Sequence, residues 1–168
     1  MILSPHALAG ATIASTFHFS PVIAFFAGFA SHFILDMLPH WDYKLRSAEL
    51  DELNPLNNDI IVGRKFIFDL LVMGIDVSLG FFFAGLFFVG RGPVSTLAIV
   101  SGAVGGVLPD ALQFVYMKFR IEPFTKIQRL HLFMHSGKKI ESPVWGVFWY
   151  AILFLIFFLV GNWRIFTW

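Results

Sequence analysis

Long apolar runs alternate with two polar stretches along this chain, and the alternation sets the elements to expect. Apolar segments cover residues 5–17, 21–38, 66–89, 94–116 and 143–160, whereas 43–65 and 117–142 are polar. At a rise of about 1.5 Å per residue, a helix needs roughly 20 residues to cross a bilayer. The last three segments suit that length, 21–38 just reaches it, and 5–17 is too short. Ser4-Pro5 and Ser20-Pro21 open the first two segments, with proline at a first helical position that has no use for its N–H. The pattern predicts three transmembrane helices preceded by a hairpin of two short helices, tilted or partly re-entrant. Gly90-Arg91-Gly92-Pro93 reads as a tight turn. Gly102, Gly105 and Gly106 allow close helix approach. The polar stretches are expected as loops, the first with a short surface helix at 47–53.

Composition settles the solvent. The 168 residues suit one domain, 1–168. They are 57% hydrophobic with 22 phenylalanines and a mean hydropathy of +0.75, more apolar surface than a soluble core of this size can hide. The expected class is therefore all-α, an integral membrane helical bundle in contact with membrane lipids. A net charge of +1 without a basic domain argues against nucleic acid as a partner. With no cysteine, disulfides and thiolate metal sites are excluded. MILSPHALAG lacks a basic n-region, so the first segment is expected to remain in the mature protein. Ten of the twelve basic residues, among them Lys44, Arg46, Arg64, Lys118, Lys126, Arg129 and Lys138, fall in the two polar stretches. The positive-inside rule makes that side cytoplasmic.

Chemistry enters where polar residues interrupt the apolar runs. In 28–42, GFASHFILDMLPHWD, His32 and Asp36 are four apart and share one face of a helix. Imidazole and carboxylate at that spacing can chelate a divalent ion. His40 continues the stripe, although Pro39 makes helix there doubtful. The topology brings His6, His32, His40, Asp69, Asp76, Asp110, His131 and His135 to one membrane face, leaving His18 at the other. Plainer readings stand beside this one. The His40-Trp41-Asp42-Tyr43 run suits an interfacial belt, and Asp69 suits structural pairing with Arg64, Lys65 or polar groups in the bundle. Asp76, well inside a span, needs a partner. Ser31 and Ser136 adjoin histidines but lack a nucleophile-elbow pattern. Histidine and aspartate without cysteine suit zinc, manganese or iron, and such a site points to hydrolysis by metal-activated water. Asp76 or His131 would then be the general base or an orienting partner.

These residues also carry a resemblance. SHFILDMLP, GGVLPD, the His-Ser ending of LHLFMHS and the early histidine of SPHALAGATIAS resemble motifs of the bacterial membrane-bound metal-dependent hydrolases of the LexA-regulated inner-membrane type. The His-x-x-x-Asp pair is similar to one in zinc-dependent phospholipase C. The resemblance implies His6, His32, Asp36, Asp110 and His135 as metal ligands, zinc as the first choice of ion, and the bacterial inner membrane as the location. Two departures are visible: the motifs come in a different order, and Ala111, Leu112 and Gln113 follow Asp110 where the family pattern has a further Asp and His.

Three functions follow as expectations. The first is a membrane-bound metal-dependent hydrolase with its site on the cytoplasmic side, acting on a lipid phosphoester. The second is a divalent-cation or proton transport protein, motivated by Asp76 within a span. The third is a non-catalytic membrane scaffold whose polar cluster ties helix ends together.

Overall fold

Six α-helices account for most of the computed structural model, which describes residues 2–135, 137 and 139–163. Ser136 of the His-Ser motif and the basic residues Lys138 and Arg164 lie outside the described residues. The helices are α1 (Leu3–Phe17), α2 (Pro21–Asp36), α3 (Arg64–Phe88), α4 (Thr96–Phe119), α5 (Phe124–Met134) and α6 (Pro143–Gly161). The all-α bundle expected from the apolar pattern is the fold observed. Helices α3, α4 and α6 are long and apolar enough to cross a membrane. Many of their exposed side chains are themselves apolar, including Ile67, Leu71, Ile75, Phe82, Val144, Phe148 and Leu155. A surface of this kind belongs in lipid rather than water.

The short helix α1 lies inside the bundle. Every residue from 3 to 12 is buried, and α1 contacts α2, α3, α4 and α6. Its sequence, LSPHALAGATIASTF, is mostly small residues, so neighbours can approach from several sides. The tightest approaches are to α4, which runs antiparallel to it. A Cβ at Gly106 would lie 2.2 Å from the His6 carbonyl oxygen, and one at Gly102 would lie 2.4 Å from that of Gly10. Helix α2 packs parallel to α4 in the same register. A Cβ at Gly28 would lie 2.2 Å from the Gly102 carbonyl oxygen, and Ala14, Ala24 and Ala98 form a buried cluster beyond it. Steps of four residues thus align 6-10-14, 24-28-32-36 and 98-102-106-110 along one seam.

Helix α1 is also held at its start from outside. Its N-cap residue, Ile2, offers no side-chain cap. Asp76 of α3 replaces it, with Oδ2 accepting from the Leu3 N–H at 2.5 Å and Oδ1 from the Ser4 N–H at 3.2 Å. A carboxylate there satisfies two orphan donors and faces the positive end of the helix dipole. Tyr43 also donates its hydroxyl to Asp76, at 3.3 Å. Burial and the adjacent Asp76 carboxylate hold the Tyr43 phenol above its ordinary range, so it stays a donor.

Both polar stretches differ from the expected loops. The surface helix expected at 47–53 does not form. Two short antiparallel strands, β1 (Ala48–Glu49) and β2 (Asp59–Ile60), flank a 3-10 turn at Pro55–Asn57. Local side-chain bonds win over helix here: Asp51 accepts from the Leu53 and Asn54 N–H groups, and Asn58 accepts from the Asp51 N–H. Asp69 does prove structural, but its partner is Ser47, whose N–H and hydroxyl donate to it at 2.8 and 2.6 Å. In the second stretch α4 runs on to Phe119, nine residues past Asp110, and α5 follows. Leu45, Leu56 and Phe124 pack on a small core of Ile60, Tyr116 and Met117. The segment after α2 is a strap rather than a belt. Trp41 lies against Gly146 of α6, and the Tyr150 hydroxyl donates to the Trp41 carbonyl.

Three stability measurements in detergent follow from this geometry. Gly106→Ala is expected to cost about 1–3 kcal/mol or more by overpacking the seam. Gly74→Ala, with no neighbouring atom within 4 Å of the new methyl, is expected to be neutral or to stabilise by up to about 1 kcal/mol. Asp76→Ala is expected to destabilise by about 1–3 kcal/mol, because it strips the partners from buried donors at the start of α1.

Candidate metal centre

Beyond Gly106 the seam changes character. Where glycines let backbones touch, the next positions carry His6 on α1, His32 and Asp36 on α2, and Asp110 on α4. Helix α5, lying across this end, adds His131, and the residue after its last turn is His135. His40 sits in the strap that follows α2. His6, His32 and His40 are fully buried, Asp36 and His131 nearly so, and Asp110 retains 18% side-chain exposure. Asp110 therefore marks where the site meets its surroundings.

Five of the six histidines form one chain of ring contacts. Centroid separations are 3.9 Å for His6–His32, 5.1 Å for His32–His131, 6.0 Å for His131–His135 and 4.7 Å for His40–His135. His18 caps the far end of α1. The gathering of histidines at one end of the bundle, anticipated from topology and charge, is what the structure contains.

The carboxylates lie among these rings. Asp36 Oδ1 is 3.3 Å from His6 Nε2, while Oδ2 is 3.2 Å from His32 Nε2 and 2.9 Å from His131 Nε2. Asp110 Oδ1 is 3.7 Å from His32 Nε2 and 3.6 Å from His131 Nε2. Yet neither Asp36 oxygen, nor His32 Nε2, nor either nitrogen of His6 has a hydrogen-bond partner among the described residues. The atoms are near one another but not aimed as donor to acceptor. Metal bonds of about 2.0–2.1 Å in a tetrahedron would place ligand atoms about 3.3–3.4 Å apart. The 2.9 to 3.7 Å contacts among His32, His131, Asp36 and Asp110 bracket that edge length.

Tautomers agree with this reading. A carbonyl can only accept, so the 2.8 Å contact of His32 Nδ1 with the Gly106 carbonyl requires a proton on Nδ1. The neutral ring then carries its lone pair on Nε2, facing both carboxylates. Fixing one ring nitrogen to present the other is the usual way a ligating histidine is oriented. Burial, the largest influence, holds the His135 imidazole below its ordinary value and so in the neutral form a metal requires.

Three groups of ligand atoms lie within 4.8 Å of one another: His6, His32 and Asp36; His32, Asp110 and His131; and Asp36, His40 and His135. These buried groups could hold a metal ion. Every residue that the resemblance implied as a ligand, His6, His32, Asp36, Asp110 and His135, is present in one of them. His131, expected as a base or an orienting partner, stands in the inner group, closer to Asp36 than any other imidazole. Asp76 joins none of the three; its carboxylate is taken up by Leu3, Ser4 and Tyr43 at the start of α1. It positions the helix that carries His6. The residue underweighted in the sequence is His40, whose i+8 relation to His32 was interrupted by Pro39. The chain leaves the helix at Asp36 and still returns His40 to the site. No protein-family model, curated protein or solved structure matches this chain, so the geometry of the site is what bears on its function.

Proposed function

We propose that this protein is a membrane-embedded metal-dependent hydrolase whose centre is built on His32, Asp36, Asp110 and His131, with His6 beside them. The observation that carries this reading is a buried set of imidazole nitrogens and carboxylate oxygens at coordination spacing without hydrogen bonds to satisfy them. Left empty, such atoms would each cost about 1–3 kcal/mol, a heavy burden against a typical net stability of about 5–15 kcal/mol. Two imidazoles and two carboxylates crowded on so few atoms support ion binding over a simple tie between helix ends. The transport alternative rested on an intramembrane aspartate in need of a partner, and Asp76 has three donors.

A divalent ion held there, zinc by the resemblance and manganese or iron by the same donor chemistry, would lower the pKa of a bound water towards about 7 and polarise a carbonyl or phosphoryl oxygen. The chain supplies the rest. Gly106 presents the His32 lone pair through its carbonyl. Asp36 and Asp110 contribute the negative charge that favours a cation. Asp110, the most exposed member of the set, is the side from which a substrate would approach. The apolar outer surface and the resemblance to inner-membrane hydrolases support a lipid phosphoester as substrate. The basic residues of the two polar stretches support a cytoplasmic orientation for this end of the bundle.

Elemental mass spectrometry on the detergent-purified protein tests the proposal directly. At least one equivalent of zinc, manganese or iron is expected per chain. A His32→Ala/Asp36→Ala variant with unchanged helicity is expected to lose it, along with at least roughly 100-fold of any phosphoesterase activity. A parent that takes up no ion, even after reconstitution with each metal, would overturn the assignment.

A further inference from the structure

The inner residues do not exhaust the ligand atoms at this end of the bundle. We propose that Asp36, His40 and His135 form a second divalent-cation site, which shares Asp36 with the centre described above and places two ions side by side. This inference rests on that metal-centre reading and extends it. Ligand atoms of the three residues lie within 4.8 Å of one another. His40 is fully buried, and its Nε2 has no hydrogen-bond partner among the described residues. Its Nδ1 is 2.7 Å from the Leu38 carbonyl, which can only accept. A proton therefore sits on Nδ1, which leaves Nε2 as the nitrogen that can ligate, the orientation also found at His32.

The chain holds His40 in place by its backbone. The His40 carbonyl accepts from the Ile140 N–H at 2.9 Å, and a bridge pairs His40 with Lys139. These contacts join the strap after α2 to the segment after α5, where His135 lies, and bring the two rings to a centroid separation of 4.7 Å at 77°. Asp42 Oδ2, 3.5 Å from His40 Nε2, adds negative charge beside the site, and Lys139 approaches that same oxygen at 3.6 Å. Asp36 is suited to the shared position. It belongs both to the group with His6 and His32 and to the group with His40 and His135, and a carboxylate has an oxygen to offer to each of two ions.

A shared carboxylate narrows the substrate class. Two ions about 3.5–4 Å apart clamp the attacking and leaving oxygens of an in-line displacement at phosphorus. The second site therefore favours a phosphoester over a carboxylic ester as the group cleaved.

Metal stoichiometry separates this inference from the reading it extends. The full chain in detergent, reconstituted with excess Mn2+ and freed of unbound ion, is expected to retain two equivalents by elemental mass spectrometry. A His40→Ala/His135→Ala variant of unchanged helicity is expected to retain one. One equivalent in the parent, or two in that variant, overturns the second site and leaves the inner centre standing. None in the parent overturns both. If the double variant does not fold, electron paramagnetic resonance of the Mn2+-loaded parent decides: an exchange-coupled pair supports the shared carboxylate, and isolated ions overturn it.

Discussion

Backbone contact along the seam of α1, α2 and α4 is the constraint on which the rest of this structure depends. Gly10, Gly28, Gly102 and Gly106 let the three helices approach until carbonyl oxygens occupy the space where side chains would otherwise lie. In a lipid environment, where water does not drive helices together, such close packing is a main source of association. It also sets the register. Because the three helices align in steps of four residues, His6 and His32 come level with Gly106, and Asp36 and Asp110 follow one turn further on. The site is a continuation of the packing seam with histidine and aspartate in place of small residues. A methyl group at Gly106 would shift the His6 backbone and, with it, the spacing of the centre.

The bundle divides its labour between long and short helices. Helices α3, α4 and α6 face outward with apolar side chains, while α1 is enclosed and made of small residues. A short enclosed helix needs its ends satisfied from elsewhere, and Asp76 does this from within α3 at a depth where an isolated carboxylate would be costly. The strap after α2 and the segment after α5 close the same end. They bring in His40 and His135 from stretches that, in sequence, look like ordinary polar connections, and α5 itself adds His131. The buried polar groups are thus of two kinds. Asp69 and Asp76 accept from backbone N–H and hydroxyl donors and are structural, whereas the Asp36 oxygens lie among imidazole nitrogens at 2.9–3.3 Å.

Much of this was legible beforehand, for physical reasons that differ from residue to residue. His32 and Asp36 are four apart on an apolar helix, so helical geometry alone put them on one face. His6, Asp110 and His135 were implied by short motifs and placed at one end by charge asymmetry. The 47–53 stretch was misread as helix because its composition permits one, whereas Asp51 and Asn58 bond to nearby backbone groups and turn the chain. His40 was obscured by Pro39, which ends the helical argument without saying where the chain goes next. Asp76 was marked as unusual by its depth, but the donors that satisfy it lie at residues 3, 4 and 43, separations over which no local pattern carries information.

The sequence by itself determined the solvent, the helical class, the long apolar spans and the pairing of His32 with Asp36. Each follows from composition or from helical periodicity, which act over a few turns of one segment. Only the tertiary structure decided that the shortest apolar segment is the buried one, that Asp76 caps it, and that five histidines converge on two aspartates. Those outcomes depend on which helices lie side by side and in what register. That is set by close packing between segments tens of residues apart, a property of their combined surfaces rather than of any one of them.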